Sequence, residues 1–212
     1  MTDSLKKFFT IPNIISLVRI ALIPLFVWAF LVGRDILALV IVVLSGVSDK
    51  LDGTIARRFN MVSDVGKMLD PVADKLTQMT LAVLMFIKFH ASENVRMQAF
   101  AWVFLGFIAK EVLHLLFALL MLLLGRRPGA AEIWGKAATV VFYVVMILLF
   151  LAGPEVGVLA KWFELPPLAV QILVVLALLM AIAAFLGYIP DTYRKLFKEG
   201  KGAPKGAREE KE

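Results

Sequence analysis

Asp49-Lys50-Leu51-Asp52-Gly53-Thr54-Ile55-Ala56-Arg57, followed after a gap of eight residues by Gly66-Lys67-Met68-Leu69-Asp70-Pro71-Val72-Ala73-Asp74, is the stretch on which the reading of this chain turns. Written as helix, Asp49 and Asp52 stand at i and i+3, with Gly53 and Ala56 beside them. Asp70 and Asp74 stand at i and i+4 of the next helix. Each helix then offers a pair of carboxylates on one face, and a short polar turn joins the two. Carboxylate oxygens are hard ligands, suited to Mg²⁺, Mn²⁺ or Ca²⁺. Gly53 and Ala56 leave room for a bulky group close to the helix backbone. Arg57 adds a fixed cation that favours a phosphate. The local reading is a metal-phosphate site.

Working outward, the surroundings are a membrane. The chain has 212 residues, 60% of them hydrophobic, and a mean hydropathy of +0.85. Long apolar runs recur between residues 11 and 189, several near the roughly 20 residues that a helix needs to cross a bilayer. The expected fold is an all-α integral membrane protein of six transmembrane helices, with a polar, metal-binding cavity at the cytoplasmic side. Residues 1–10, with Lys6, Lys7, Phe8 and Phe9, read as an interfacial segment. Residues 11–190 form the membrane domain, and 191–212 a basic, charged tail. There are no cysteines, which excludes disulfides, thiolate zinc and a catalytic thiol. The net charge is +6, and seven of the 23 lysines and arginines follow residue 193. That distribution suits anionic lipid headgroups rather than nucleic acid. The first apolar run is too long for a signal-peptide core, so no cleavable leader is expected.

The first span is expected over 11–32. Asn13, Ser16 and Arg19 follow one another at three-residue intervals on one face. Arg19 is a functional candidate there, against simple snorkelling to the interface. The second span is apolar over 36–44 and then turns polar, which requires protein or a water-filled cavity around it. Ser63-Asp64 marks the start of the third helix, and Pro71 is expected to kink or loosen it. His90 reads as a loop histidine. The fourth span, 97–124, carries Lys110, Glu111 and His114. Lys110 is read as facing the chamber, against a self-neutralised pair or an oligomer contact. The fifth span, 133–151, begins with Gly135, Lys136 and Thr139; Lys136 is either an interfacial anchor or a second phosphate cation. The sixth, 167–189, is expected to stop at Pro190. Six spans leave both termini on the side that holds Lys6, Lys7, Arg57, Arg58, Lys67, Arg126 and Arg127. Only Arg34, Lys88, Arg96 and Lys161 fall on the other. By the positive-inside rule the termini and the aspartates are cytoplasmic.

The spacing D-x2-D-G-x2-A-R-x8-G-x3-D-x3-D is matched at every specified position and resembles the signature of the CDP-alcohol phosphotransferase family. Thr10 to Arg19 with Pro24, Ala56 to Asn60, and Leu69 to Lys75 resemble its phosphatidylglycerophosphate synthase branch; cardiolipin synthases share much of the same pattern. The resemblance implies six-helix homodimers dependent on two Mg²⁺ or Mn²⁺ ions in a bacterial-type cytoplasmic membrane. It implies transfer of a phosphatidyl group from CDP-diacylglycerol to sn-glycerol 3-phosphate, with release of CMP. Asp49, Asp52, Asp70 and Asp74 correspond to metal ligands, and Asp74 also to the general base. Asp49, Asp52, Gly53, Ala56, Arg57 and Gly66 correspond to the CDP site. Arg19, Arg58, Lys75, Lys110 and Lys136 are candidate holders of the acceptor phosphate, with Arg126 a weaker one. The branch tends to carry Gly-Lys-x-Lys-Thr where this chain has Gly135-Lys136-Ala137-Ala138-Thr139, so one cation is missing.

Three alternatives stand beside that reading. Two lie within the family: a cardiolipin synthase with phosphatidylglycerol as acceptor, and an enzyme with an inositol-phosphate acceptor. The third is a divalent-cation transporter. It is disfavoured because the carboxylates cluster toward one membrane surface, and the outer halves of the spans are almost purely apolar.

Overall fold

The computed structural model describes residues 10–58, 64–123 and 133–197, and these are helical apart from short connections. The helices are α1 (Ile11–Leu31), α2 (Asp35–Arg58), α3 (Asp64–His90), α4 (Val95–Phe100), α5 (Trp102–Leu123), α6 (Ile133–Ala152) and α7 (Pro167–Phe197). Pro12 sits at the start of α1, where its missing N–H costs nothing. Gly33, at φ +73°, makes the tight turn into α2, a backbone region that penalises residues with a Cβ.

Four segments are long and apolar enough to cross a membrane: Asn13–Leu31, Val95–Met121, Trp134–Ala152 and Pro167–Gly187. The other two long helices, α2 and α3, give half their length to the aspartate signature. Apolarity therefore runs short in them, and in α2 it covers only Asp35–Ser48. Two expectations need correction. The last helix does not stop at Pro190 but continues to Phe197. A proline removes one backbone hydrogen bond, and a long helix can absorb that loss. The fourth span begins earlier than expected, at Val95, where the Asn94 side chain accepts from the Arg96 N–H as an N-cap. Pro71 leaves α3 helical on both sides.

Packing joins neighbours into a closed circuit. Among the described residues α1 lies on α2 and α3, α3 on α5, α5 on α7, α7 on α6, and α6 on α2. In lipid the hydrophobic effect does not pull helices together, so close packing must. Aromatic side chains supply much of it at one end. Phe26 and Phe30 of α1 meet Phe150 of α6 at 5.8 and 5.7 Å between ring centres. Phe89 of α3 stacks on Phe104 of α5 at 5.5 Å, and Phe107 meets Phe142 at 5.1 Å. Antiparallel alternation then places the N-terminal halves of α1, α3 and α6 at the opposite end, together with the C-terminal halves of α2 and α5. One end is aromatic; the other carries the aspartate signature.

The α6–α7 connection belongs to the aromatic end. Leu165 N–H donates to Ala152 O at 2.7 Å, and Gly157 N–H to Gly153 O at 2.8 Å. A Cβ on Gly157 would lie 2.7 Å from Gly153 O and 2.9 Å from Ala152 C, both backbone atoms. Gly157→Ala must therefore shift the chain, at a cost of about 1–3 kcal/mol. We expect a melting temperature several degrees lower in detergent, with normal turnover in the folded fraction.

Candidate active site

Helix α2 runs unbroken from Asp35 to Arg58, and α3 carries residues 64–90 without interruption. The helical spacing expected for the aspartates is therefore present in the backbone. The side chains of Asp49, Asp52, Gly53, Ala56, Arg57, Arg58, Gly66 and Asp70 lie outside the described residues, as does Arg126. Among the described residues no three metal-capable side chains come together.

Asp74 is described, and its environment is polar. The Gln78 Nε2, one turn on, donates to Asp74 Oδ2 at 2.7 Å. From across the bundle the Tyr143 hydroxyl donates to Oδ1 at 3.2 Å. Tyr143 is buried (6% exposed), and a Cβ on Gly46 would lie 3.4 Å from its ring. It therefore stands between α2, one turn before Asp49, and α3 at Asp74. Both partners are neutral donors to the carboxylate oxygens, so they hold Asp74 in place.

Beside it, Lys75 of α3 reaches across to α5. Its Nζ lies 2.5 Å from Glu111 Oε2, while Lys110 Nζ contacts Glu111 Oε1. The Glu111 side chain is 2% exposed, against 15% for Lys75 and 13% for Lys110. Two of the cations expected to hold phosphate are thus brought together on one carboxylate. His114, one turn on from Lys110, is half-buried against Phe185 at 5.9 Å. Lys136 is exposed at the start of α6 and is not brought into this group. His90 closes α3 rather than sitting in a loop, stacked on Phe86 at 5.3 Å.

Snorkelling is overturned for Arg19. The side chain is 1% exposed, and Asn13 and Ser16 on the same face are 1% and 2% exposed. Each of the three has an interaction partner. Removing a buried arginine strands its partner, and breaking a buried ion pair costs about 3–5 kcal/mol. Arg19→Met, which keeps most of the volume, is accordingly expected to lower the melting temperature sharply and to abolish activity. A melting curve within a degree of wild type would contradict it.

Between α1, α2 and α3 lies a small open cleft, lined by residues that include Leu22, Phe26, Val42, Ser45, Thr77 and Leu81. Ser45 is one turn before Asp49, and Thr77 is three residues after Asp74. The cleft is apolar and shares its helices with the aspartates.

A sequence profile of the CDP-alcohol phosphatidyltransferase family matches residues 9–189. The chain belongs to that family. It is 36% identical over 151 residues to the cardiolipin synthase (CMP-forming) of Streptomyces coelicolor, covering 68% of this chain and 66% of that protein. It is 34% identical to a CDP-diacylglycerol--glycerol-3-phosphate 3-phosphatidyltransferase of Pectobacterium atrosepticum, covering 62% and 71% respectively. An enzyme of the same name from Rickettsia felis is 27% identical, covering 68% of this chain and 91% of its own. With membership in this family and several apolar helices, the chain is an integral membrane protein.

Gln78 and Tyr143 were not singled out by the sequence. Gln78 stands at i+4 from Asp74, a spacing that could have marked it. Tyr143 could have been noticed only as a phenol inside an apolar run; its partner is 69 residues away.

Proposed function

We propose that this protein transfers the phosphatidyl group of CDP-diacylglycerol to the hydroxyl of sn-glycerol 3-phosphate, releasing CMP. The observation that carries the reading is Asp74, held by Gln78 and Tyr143 beside two lysines gathered on Glu111. The acceptor oxygen attacks the phosphatidyl phosphorus as the bond to CMP breaks. Asp74 takes the hydroxyl proton, and CMP leaves with the bonding electron pair. Gln78 and Tyr143 fix the carboxylate's orientation toward the incoming hydroxyl. Arg57, Gly53, Ala56 and Gly66 receive the CDP portion. Asp49, Asp52, Asp70 and Asp74 would hold two Mg²⁺ or Mn²⁺ ions, which supply charge neutralisation at the phosphates when bound. Lys75 and Lys110 would grip the acceptor phosphate, with Arg19, Arg58 and Lys136 as further candidates. Six membrane crossings, cytoplasmic termini and site, and a homodimer complete the proposal.

Cardiolipin synthesis is the second reading. It is favoured by the 36% identity to the Streptomyces coelicolor enzyme and by the missing cation after Lys136. The test is CMP release from CDP-diacylglycerol by purified protein with Mg²⁺ or Mn²⁺, offering acceptors one at a time. Release with glycerol 3-phosphate alone is the expected result. Release with phosphatidylglycerol alone would replace the first reading by the second.

A further inference from the structure

We infer that Glu111 is a positioning residue: from behind the site, it gathers Lys75 of α3 and Lys110 of α5 into one two-ammonium cradle for a phosphate group. The inference rests on the proposed reading for the identity of the phosphate, that of the acceptor. It rests on geometry for the rest. Glu111 is sealed at 2% exposure, so it meets no substrate itself. Each of its two oxygens holds a lysine from a different helix. Both lysines are more exposed than the carboxylate that holds them. An ammonium has three donors; Lys110 gives one to Glu111 Oε1, and Lys75 is ion-paired with Oε2. The remaining donors are free to meet phosphate oxygens in charge-assisted bonds.

An unbridged pair of lysines would repel, and each flexible side chain would seek solvent on its own. Bridged, the two ammonium groups are held side by side, and Lys75 directly follows Asp74, the proposed base. Each lysine alone could serve as a membrane-embedded cation; among the described residues it is Glu111 that makes them a pair. A charged cluster of this kind, inside a membrane-embedded helix bundle, is costly and marks a functional place. Glu111 thereby joins two helices that carry different parts of the chemistry.

The test is Glu111→Gln, which keeps the shape and removes the charge. Purified wild type and variant are compared for KM and kcat with glycerol 3-phosphate, and for thermal stabilisation by glycerol 3-phosphate and by inorganic phosphate. We expect the KM for glycerol 3-phosphate to rise at least tenfold, while the KM for CDP-diacylglycerol stays within twofold. Stabilisation by both phosphate compounds should be lost. Lys110→Met should raise the same KM, and the double variant should show less than the product of the two single effects. Unchanged KM and unchanged stabilisation in Glu111→Gln would overturn the inference. So would fully multiplicative effects in the double variant. If wild type releases no CMP with glycerol 3-phosphate but phosphate stabilises it and not Glu111→Gln, the cradle stands and the proposed acceptor falls.

Discussion

Asp74→Asn is expected to abolish phosphatidyl transfer while leaving CDP-diacylglycerol binding largely intact. The substitution conserves volume but removes the charge and the proton-accepting oxygen. It also disturbs the carboxylate's own support, because both Gln78 and Tyr143 present donors to Asp74. An amide can accept from one of them and must turn its NH2 toward the other. Loss of a positioned base alone costs about 10²–10⁴-fold; loss of a cation ligand from the same atom group adds to that. A decrease in CMP release of at least about 10³-fold is therefore expected. Gly53, Ala56, Arg57 and Gly66, the residues proposed to receive the CDP portion, are untouched by the mutation, so the donor lipid should still bind. Measuring both turnover and binding of CDP-diacylglycerol separates the outcomes. Wild-type turnover in this variant would remove Asp74 from its role as base.

Withdrawal of divalent cations is the second large effect. Chelation with EDTA should reduce CMP release to background, and Mg²⁺ or Mn²⁺ should restore it. The signature supplies four carboxylates, and a CDP-linked substrate brings further negative charge to the same place. Without cations these charges repel, and the low-dielectric surroundings make the repulsion worse. Hard oxygen donors select hard divalent ions over soft ones. A readout independent of turnover comes from stability, because an ion that binds only the folded protein stabilises it by mass action. At a hundredfold excess over Kd that contribution is about 2.7 kcal/mol. The EDTA-treated protein should therefore melt several degrees lower and recover on adding the ion. Undiminished CMP release in excess EDTA would refute the proposed dependence.

Much of the candidate site was legible because helical spacing is a local property. Once residues 35–58 and 64–90 are helical, the separations of Asp49, Asp52, Asp70 and Asp74 along their helices follow from a period of 3.6. The expectation for Arg19 was open between function and snorkelling. Burial at 1% exposure removed snorkelling, and burial depends on which helices close over that face. Lys110 stood out inside an apolar run, and Lys75 was a candidate phosphate holder beside the signature, each considered by itself. Their common partner could not be read from spacing, since Lys75 and Glu111 are 36 positions apart and meet only when α3 lies antiparallel to α5. Pro190 misled because a proline near the end of an apolar run usually marks a stop, whereas here the long α7 carries on past it.

The amino-acid sequence by itself determined the helical, membrane-embedded character of this chain, the family signature and the positions of its carboxylates. Those depend on hydropathy, on composition and on residues a few positions apart, where local geometry suffices. Only the tertiary structure decided that Tyr143 reaches Asp74, that Glu111 gathers two lysines, and that the Asn13–Ser16–Arg19 face is closed off. Each of these is a contact between helices far apart in the chain, and it exists because close packing around the aromatic end brings their polar halves together at the other.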